Sequence, residues 1–310
     1  MKSKPTRQIG LIFGKFYPLH RGHLYMIEKA SSEVDELHVM LGCESSRDAA
    51  LFEQSQMPKQ PQVKDRLAWL KNSFEGRPNI HFHVLDESGI ASYPNGWKDW
   101  SDRVKSILSL QAIAPTLIFT SELQDVALHQ EYFGCQVRLI DETRHFMNIS
   151  ATQIRQNPYL HWSYIAKAAQ PFFVKRVYII SNSRSGNLAK QFANIYNTSF
   201  VSNGYINYIE REVCKKLSKL QEQNYIDIAL LHAKRIEQAS LHADRYIFTD
   251  LDFCALCDHF ERAFGHPHRT LEELCEIYPF DIMINVNDFK DAETAADYFA
   301  QALTLLKAQL

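Results

Sequence analysis

Ten consecutive residues, Gly14-Lys15-Phe16-Tyr17-Pro18-Leu19-His20-Arg21-Gly22-His23, hold two histidines, two glycines, a proline and two fixed cations. A strand that meets a glycine, a proline and a second glycine crosses tightly onto a helix, here expected from about Gly22. A helix N-terminus carries unpaired N–H groups and partial positive charge, and so attracts phosphate. His20 and His23 stand three residues apart, which on a first helical turn puts both imidazoles on one face. The pattern differs from G-x-x-x-x-G-K-[ST], in which backbone amides wrap the phosphates and a lysine reaches the terminal one. Paired imidazoles take that place. Beside a phosphorus centre they suit charge stabilisation in a transfer whose nucleophile is already an anion and needs no base. The competing reading is an ordinary strand-turn-helix with surface histidines, which leaves the fixed offsets unexplained.

Three further stretches carry chemistry. In Asn148-Ile149-Ser150-Ala151-Thr152-Gln153-Ile154-Arg155, Ser150 is expected to cap a short helix with Arg155 in its second turn, a second helix N-terminus with a cation. Taken alone, it also reads as a capping serine and a surface arginine. Tyr93-Pro94-Asn95-Gly96-Trp97-Lys98-Asp99-Trp100 sets two indoles around a turn; either can stack on a flat ring or anchor the core. Thr120-Ser121-Glu122 and Arg47 end strands where a nucleotide's ribose or base could be met.

The elements that must position these residues are short apolar runs alternating with amphipathic ones. Strands are expected near Gln8–Phe13, Glu36–Cys43, Ile80–Leu85, Thr116–Thr120 and Gln136–Ile140, with helices between. That is a parallel, doubly wound sheet, in which ligands sit beyond the carboxyl ends of the strands, where Gly14–His23 falls. With 310 residues, 45% hydrophobic and 23% charged, the chain has the composition of a globular protein large enough for two cores. A formal net charge of −2 and the lack of a basic run argue against a nucleic-acid partner. The short segment before the first strand leaves no room for a helix-turn-helix. A polar N-terminus and no membrane-length apolar window point to a cytoplasmic protein. Cys43, Cys135, Cys214, Cys254, Cys257 and Cys275 are scattered and read as reduced thiols.

Gly14-x-Phe16-x-Pro18-x-His20-x-Gly22-His23 resembles the signature of the HxGH nucleotidyltransferases, which move a nucleotidyl group onto a phosphorylated acceptor. With Gly42–Asp48, Asp65-Arg66, Tyr93–Trp100, Thr120–Glu122 and Ile149–Arg155, the chain is similar over residues 8–180 to the adenylyltransferase half of NadR-type proteins. These join a nicotinamide-mononucleotide adenylyltransferase to a ribosylnicotinamide kinase. The resemblance implies that nicotinamide mononucleotide and ATP, with Mg²⁺ held by phosphates and water, give NAD and pyrophosphate. It implies His20 and His23 at the α- and β-phosphates, Lys15 near the acceptor or the triphosphate, and Ser150 and Arg155 on the departing pyrophosphate. Gly14, Phe16, Gly22 and Thr120 complete the implied ATP site; Tyr93, Asn95, Arg47 and Trp97, the last stacked on nicotinamide, form the implied acceptor site. A homo-oligomer is implied as well. The rival acceptors are nicotinate mononucleotide and phosphopantetheine, and the rival class is a non-catalytic nucleotide or NAD sensor.

Two domains are expected, 1–170, a Rossmann-like parallel-sheet nucleotidyltransferase unit, and 171–310, a second α/β unit resembling a P-loop kinase but lacking its Walker A motif. Its first strand, Arg176–Ile180, feeds Ser181-Asn182-Ser183-Arg184-Ser185-Gly186-Asn187, with Asn187 where a phosphate lysine would stand. Phe192–Thr198, Tyr225–Ala233 and Phe248–Phe253 resemble kinase segments. The closing strand Asp281–Val286 is followed by one helix, about Asp291 to Lys307. The loop lacks G-K-[ST], so Asp250 and Asp252 are read as remnants of a magnesium site and kinase activity is expected to be absent. Cys254-x-x-Cys257 with His266, His268 and Cys275 could suit zinc, but the pair lies inside a helical pattern with Phe253, Leu256 and Phe260. His81, His83, His129, His145 and His232 are left as structural.

Overall fold

The computed structural model describes residues 7–143, 145–202, 220–289 and 291–309. The chain divides into two compact units, Met1–Phe173 and Val174–Leu310. Among the described residues, no helix is long and apolar enough to cross a membrane.

The first unit is built on five parallel strands: β1 (Ile9–Gly14), β2 (Glu36–Cys43), β3 (Ile80–Asp86), β4 (Leu117–Thr120) and β5 (Gln136–Leu139), in the order β3-β2-β1-β4-β5. The two central strands, β1 and β2, are near-continuous apolar runs because helices cover both faces of a parallel sheet. β3, at the edge, mixes buried and exposed positions. The order reverses between β1 and β4. That switch point opens a crevice at the carboxyl ends of the strands.

The helices that frame the crevice are α1 (Arg21–Ser31), α2 (Ser45–Glu53), α3 (Val63–Ser73), α4 (Trp97–Leu110), α5 (Val126–Phe133) and the short α6 (Ala151–Gln156). α4 turns Ser101, Val104 and Leu108 inward, positions separated by three or four residues. It starts at Gly96 for want of space: a Cβ there would lie 2.1 Å from the Ala91 carbonyl oxygen. The unit closes with α7 (Gln170–Phe173).

The second unit carries a four-stranded parallel sheet, β6 (Lys175–Ile180), β7 (Ser199–Val201), β8 (Tyr246–Thr249) and β9 (Ile282–Asn285), in the order β7-β8-β6-β9. α8 (Leu188–Ile195) and the last helix (Ala295–Gln309) close one face through Leu188, Phe192, Tyr298 and Leu306. Helices Glu222–Ser240, Phe253–Phe264 and Arg269–Ile277 close the other through Tyr225, Ile228, Phe260 and Leu271. The α/β class and parallel sheets expected from the apolar runs are observed, with strand ends shifted by a residue or so.

The cysteines differ from expectation. Cys254 and Cys275 form a disulfide, their Cα atoms 5.5 Å apart, because helices Phe253–Phe264 and Arg269–Ile277 pack together and bring positions 21 residues apart into register. Cys43, Cys135 and Cys257 are free thiols, and Cys214 lies outside the described residues. The histidines of the zinc reading are occupied otherwise: His266 pairs with Glu222, and His268 accepts from the Thr270 amide to cap its helix.

Burial holds the imidazoles of His38, His129 and His232 down to about 4, with His83 and His81 adding to the effect at His38. Each is neutral when folded and charged when unfolded between about pH 4 and 6.5, so unfolding takes up protons in that window. The stability they contribute is complete above about pH 6.5 and is lost as pH falls toward 4, by at most about 3 kcal/mol each. Denaturant unfolding measured from pH 7.5 to 4 is expected to show this decline. His38→Gln is expected to flatten it by about one proton.

Candidate active site

At the end of β1 the chain turns into α1 through Phe16, whose φ is +49° and whose ring is buried. Gly14 makes room for it: a Cβ there would lie 2.8 Å from the tip of the Phe16 ring. His20 then acts as the N-cap of α1. Its Nδ1 accepts from the Gly22 amide at 3.2 Å, while Nδ1 of His23 accepts from the His20 amide at 3.4 Å. The two rings stack 3.7 Å apart. With both Nδ1 atoms accepting, the neutral rings carry their protons on Nε2, and each presents an N–H donor there.

The expectation of open helix amides is thereby corrected. The His20 side chain closes a capping box over the first turn, so the imidazoles stand where backbone donors were expected. His23 lines the cavity beyond β1 and β4, whereas His20 is buried in the stack and Gly22 does not line it.

That cavity has a volume of about 420 Å³ and is bounded by Gly14, Lys15, His23, Arg47, Glu87, Tyr93, Trp97, Thr120, Glu122, Asp125 and His129, among others. Five of the expected residues on four separate elements, Gly14, Lys15, His23, Trp97 and Thr120, therefore converge on one space, with Arg47 and Tyr93 beside them. Asn95 is a correction. It is exposed, its amide turns back to the Ser92 carbonyl oxygen, and it does not bound the cavity.

Both indoles bound the cavity and differ in how their N–H groups are used. Trp100 is held in the core by an edge contact to Phe13 at 4.7 Å, and its Nε1 donates to Glu87. Trp97 is half-buried at the cavity wall, and its buried Nε1 has no hydrogen-bond partner.

The second motif meets the first. Ser150 caps α6 through a reciprocal box with Gln153, which uses its hydroxyl and amide locally. Arg155 reaches back to donate to the Tyr17 carbonyl oxygen at 2.8 Å and to the Thr152 hydroxyl at 2.9 Å. Ser150 and Arg155 thus fix the loop that carries the histidines and do not themselves bound the cavity; Phe16 likewise supports from beneath.

Charge at the cavity floor is organised by Arg66, which is 1% exposed. One Nη donates to the carbonyl oxygens of Lys15 and Gly42 at 2.9 and 3.2 Å, and the other to the Asp48 carboxylate at 2.5 Å. Asp48 and Glu87 lie 3.5 and 3.7 Å from the ammonium of Lys15, a buried group without a hydrogen-bond partner. Arg47 is spent on structure, donating to the carbonyl oxygens of Glu87 and Ile90. Tyr17 donates to the Asp48 carbonyl oxygen, and burial with the Asp48 charge pushes its phenol up to about 12.

Glu87 and Asp125 bound the cavity without having been singled out from the sequence, and His129, read there as structural, bounds it too. The available signal was their place just after β3 and β4, since loops leaving the carboxyl ends of parallel strands return over the crevice. Among the described residues, no group of three His, Cys, Asp or Glu side chains is placed to hold a metal ion.

A profile of the cytidylyltransferase-like family matches residues 11–157. The trifunctional NAD biosynthesis/regulator protein NadR of Salmonella typhimurium is 41% identical over 287 residues, covering 90% of this chain and 69% of that relative. Its Escherichia coli counterpart is 41% identical over 286 residues, covering 91% and 69%. A solved NadR protein in complex with NAD and AMP-PNP superposes with a TM-score of 0.73 at 21% identity over 98% of this chain and 88% of that one, which shows a shared fold. A NadR protein in complex with NR gives 0.74 at 21% identity, over 97% and 86%.

Replacing Arg66 by Met leaves the buried Asp48 carboxylate with only the Lys15 ammonium, 3.5 Å away, as counter-charge, a change expected to cost up to about 3–5 kcal/mol. Adding Asp48→Asn is expected to recover part of that loss. Denaturant unfolding of the single and double variants checks both.

Proposed function

Since the chain belongs to the NadR family of NAD biosynthesis proteins, we propose that its first unit is an adenylyltransferase that joins nicotinamide mononucleotide to magnesium-bound ATP, giving NAD and pyrophosphate. The observation that carries this reading is the convergence of His23, Lys15, Thr120 and Trp97 on one cavity beyond β1 and β4, with His20 stacked on His23.

The chemistry asks little of the protein beyond position and charge. An oxygen of the acceptor's 5′-phosphate forms a bond to the α-phosphorus as the bond from that phosphorus to the bridging oxygen breaks, and pyrophosphate departs with the electron pair. The attacking oxygen is already anionic, so no general base is required. The Nε2–H of His23, backed by the stacked ring of His20, donates to an oxygen whose charge grows in the transition state. The Lys15 ammonium, held by carboxylates but without a hydrogen-bond acceptor, is available to a phosphate oxygen. Arg155 and Ser150 act first on the loop, through Tyr17 and the α6 cap, and lie close enough to the first motif to meet the leaving group. The magnesium ion enters with ATP, held by phosphate oxygens and water, as is usual for this ion. It offsets charge on the leaving group.

The second unit is proposed to lack ribosylnicotinamide kinase activity. Between β6 and α8, the Asn182 carboxamide oxygen accepts from the Arg184 and Ser185 amides, and Asn187 caps α8 while its amide donates to Asp250. These amides and this carboxylate are satisfied within the loop, which leaves them poorly placed to cradle phosphates. The proposed domain roles follow: residues 1–170 for adenylyl transfer, 171–310 as scaffold.

With nicotinamide mononucleotide, ATP and Mg²⁺, the full chain is expected to release pyrophosphate and form NAD, and His23→Ala to lower kcat about 10²–10³-fold. A folded wild-type protein that forms no NAD would overturn the reading. With ribosylnicotinamide and ATP, no ADP or nicotinamide mononucleotide is expected; steady ADP release would show the second unit to be an active kinase.

A further inference from the structure

Three cysteines meet on one seam of the second unit, between the helices Phe253–Phe264 and Arg269–Ile277. Cys254 and Cys275 are bridged across it, and Cys257, one turn beyond Cys254, packs as a free thiol against the same apolar cluster as Cys275. The three sulfurs differ in access. Cys254 is exposed, whereas Cys257 and Cys275 are half-buried. Nor does the seam depend on the bridge, because Leu256 and Phe260 of one helix and Leu271 and Leu274 of the other already share one buried cluster. A disulfide with an open sulfur, laid over helices that apolar packing holds together, belongs to the labile kind that exchanges without unfolding.

Charge separates the sulfurs further. Burial, with the carboxylates of Glu272, Asp258 and Asp252, pushes the Cys257 thiol up, so it stays protonated and a poor nucleophile. Asp258 follows Cys254 by four residues and Glu272 precedes Cys275 by three, which sets a carboxylate one turn from each bridged cysteine. The basic groups of the two helices are engaged: Arg262 donates to the Asp258 carbonyl oxygen, Arg269 pairs with Glu273, and His259 bonds the Tyr225 hydroxyl. Independently of the adenylyltransferase reading, we propose that Cys254–Cys275 is a reversible thiol-exchange site, opened by small thiols at Sγ of Cys254, selective for cationic over anionic thiols, with Cys257 held out of the exchange. An incoming thiolate bonds to Sγ of Cys254, and the bond to Cys275 breaks with its electron pair leaving on Cys275, which takes up the proton the incoming thiol released. A second small thiol attacks the first one's sulfur, Cys254 departs as a thiolate and is protonated, and the two small thiols leave joined as their own disulfide. Two electrons thus pass from two small thiols to the bridge.

The full chain, oxidised in air, is incubated at about pH 8 with cysteamine, 2-mercaptoethanol or 2-mercaptoethanesulfonate, trapped with iodoacetamide and mapped by peptide mass. Each rate is referred to that thiol's rate against the neutral 2-hydroxyethyl disulfide, which removes differences in intrinsic reactivity. Cys254 and Cys275 are expected to become alkylated together without denaturant. The cationic thiol is expected to react about three- to tenfold faster than the anionic one, with the gap narrowing in about 1 M salt. In Cys275→Ser, cystamine is expected to leave a mixed disulfide on Cys254 and none on Cys257. Combining Asp258→Asn with Glu272→Gln is expected to remove most of the charge preference and leave the neutral thiol's rate unchanged, whereas a loosened fold would speed all three. Free thiols at all three positions after air oxidation, a bridge that opens only in denaturant, a mixed disulfide on Cys257 in place of Cys254, or equal relative rates for the three thiols overturns the proposal.

Discussion

The buried guanidinium of Arg66 holds the catalytic end of the first sheet together. A charge taken wholly out of water is tolerated when it is paired and hydrogen-bonded, and Arg66 places its two Nη atoms on carbonyls at the ends of two adjacent strands and on the carboxylate of Asp48, leaving only Nε without a partner. The strands β1 and β2 must therefore end side by side, and α2 must begin where Asp48 reaches inward. Lys15 is placed by the same constraint, because its own carbonyl is one of the acceptors and its ammonium faces the carboxylate that Arg66 also holds. The loop bearing the histidines leaves from this fixed point.

Above that floor, the histidine pair shows how a backbone can set side-chain chemistry. Each imidazole spends one nitrogen on the start of α1 and so commits the other to donation. Arg155 ties Tyr17 to α6 from the far side, which turns two motifs 138 residues apart in sequence into one rigid structure. In the proposed phosphate site little reorganisation is needed, since the loop and its donors are set by contacts within the protein. The second unit uses similar local devices: Asn182 accepts from the Arg184 and Ser185 amides, and Asn187 caps α8 through the Lys190 amide. One chain thus carries two parallel sheets whose corresponding edges differ in whether their polar groups face outward or inward.

The cavity wall along α4 and α5 depends on aromatic packing more than on charge. Trp100 packs its edge against Phe13 and spends its N–H on Glu87, whereas Trp97, on the same cavity wall, leaves its buried N–H unspent. Gly96 permits the arrangement, because any side chain at that position would strike the Ala91 carbonyl. His129 is neutral in these surroundings, since burial among rings disfavours its charged form. A buried N–H left unspent, as at Trp97, is costly.

By itself the sequence determined the strands, the helices and the location of chemistry. Apolar runs of five to eight residues between amphipathic stretches can satisfy their backbone only as covered parallel strands, and the spacing from Gly14 to His23 is local enough to be read without a fold. The cap at Ser150 and the start of α1 near Gly22 follow from the same short-range rules. The tertiary structure decided which of these residues touch the cavity. Whether His20 bounds it or stacks behind His23, whether Arg155 points to a ligand or to Tyr17, and whether Cys254 finds Cys275 all depend on contacts between segments distant in the chain. Asp125 and His129 were silent for the same reason, as a lone acid and a lone histidine on a helix acquire meaning only when folding leaves their polar atoms buried and unpaired beside Trp97. Local spacing fixes the elements because hydrogen bonding along the chain is short-ranged; the assignment of side chains to a site waits on packing, which is not.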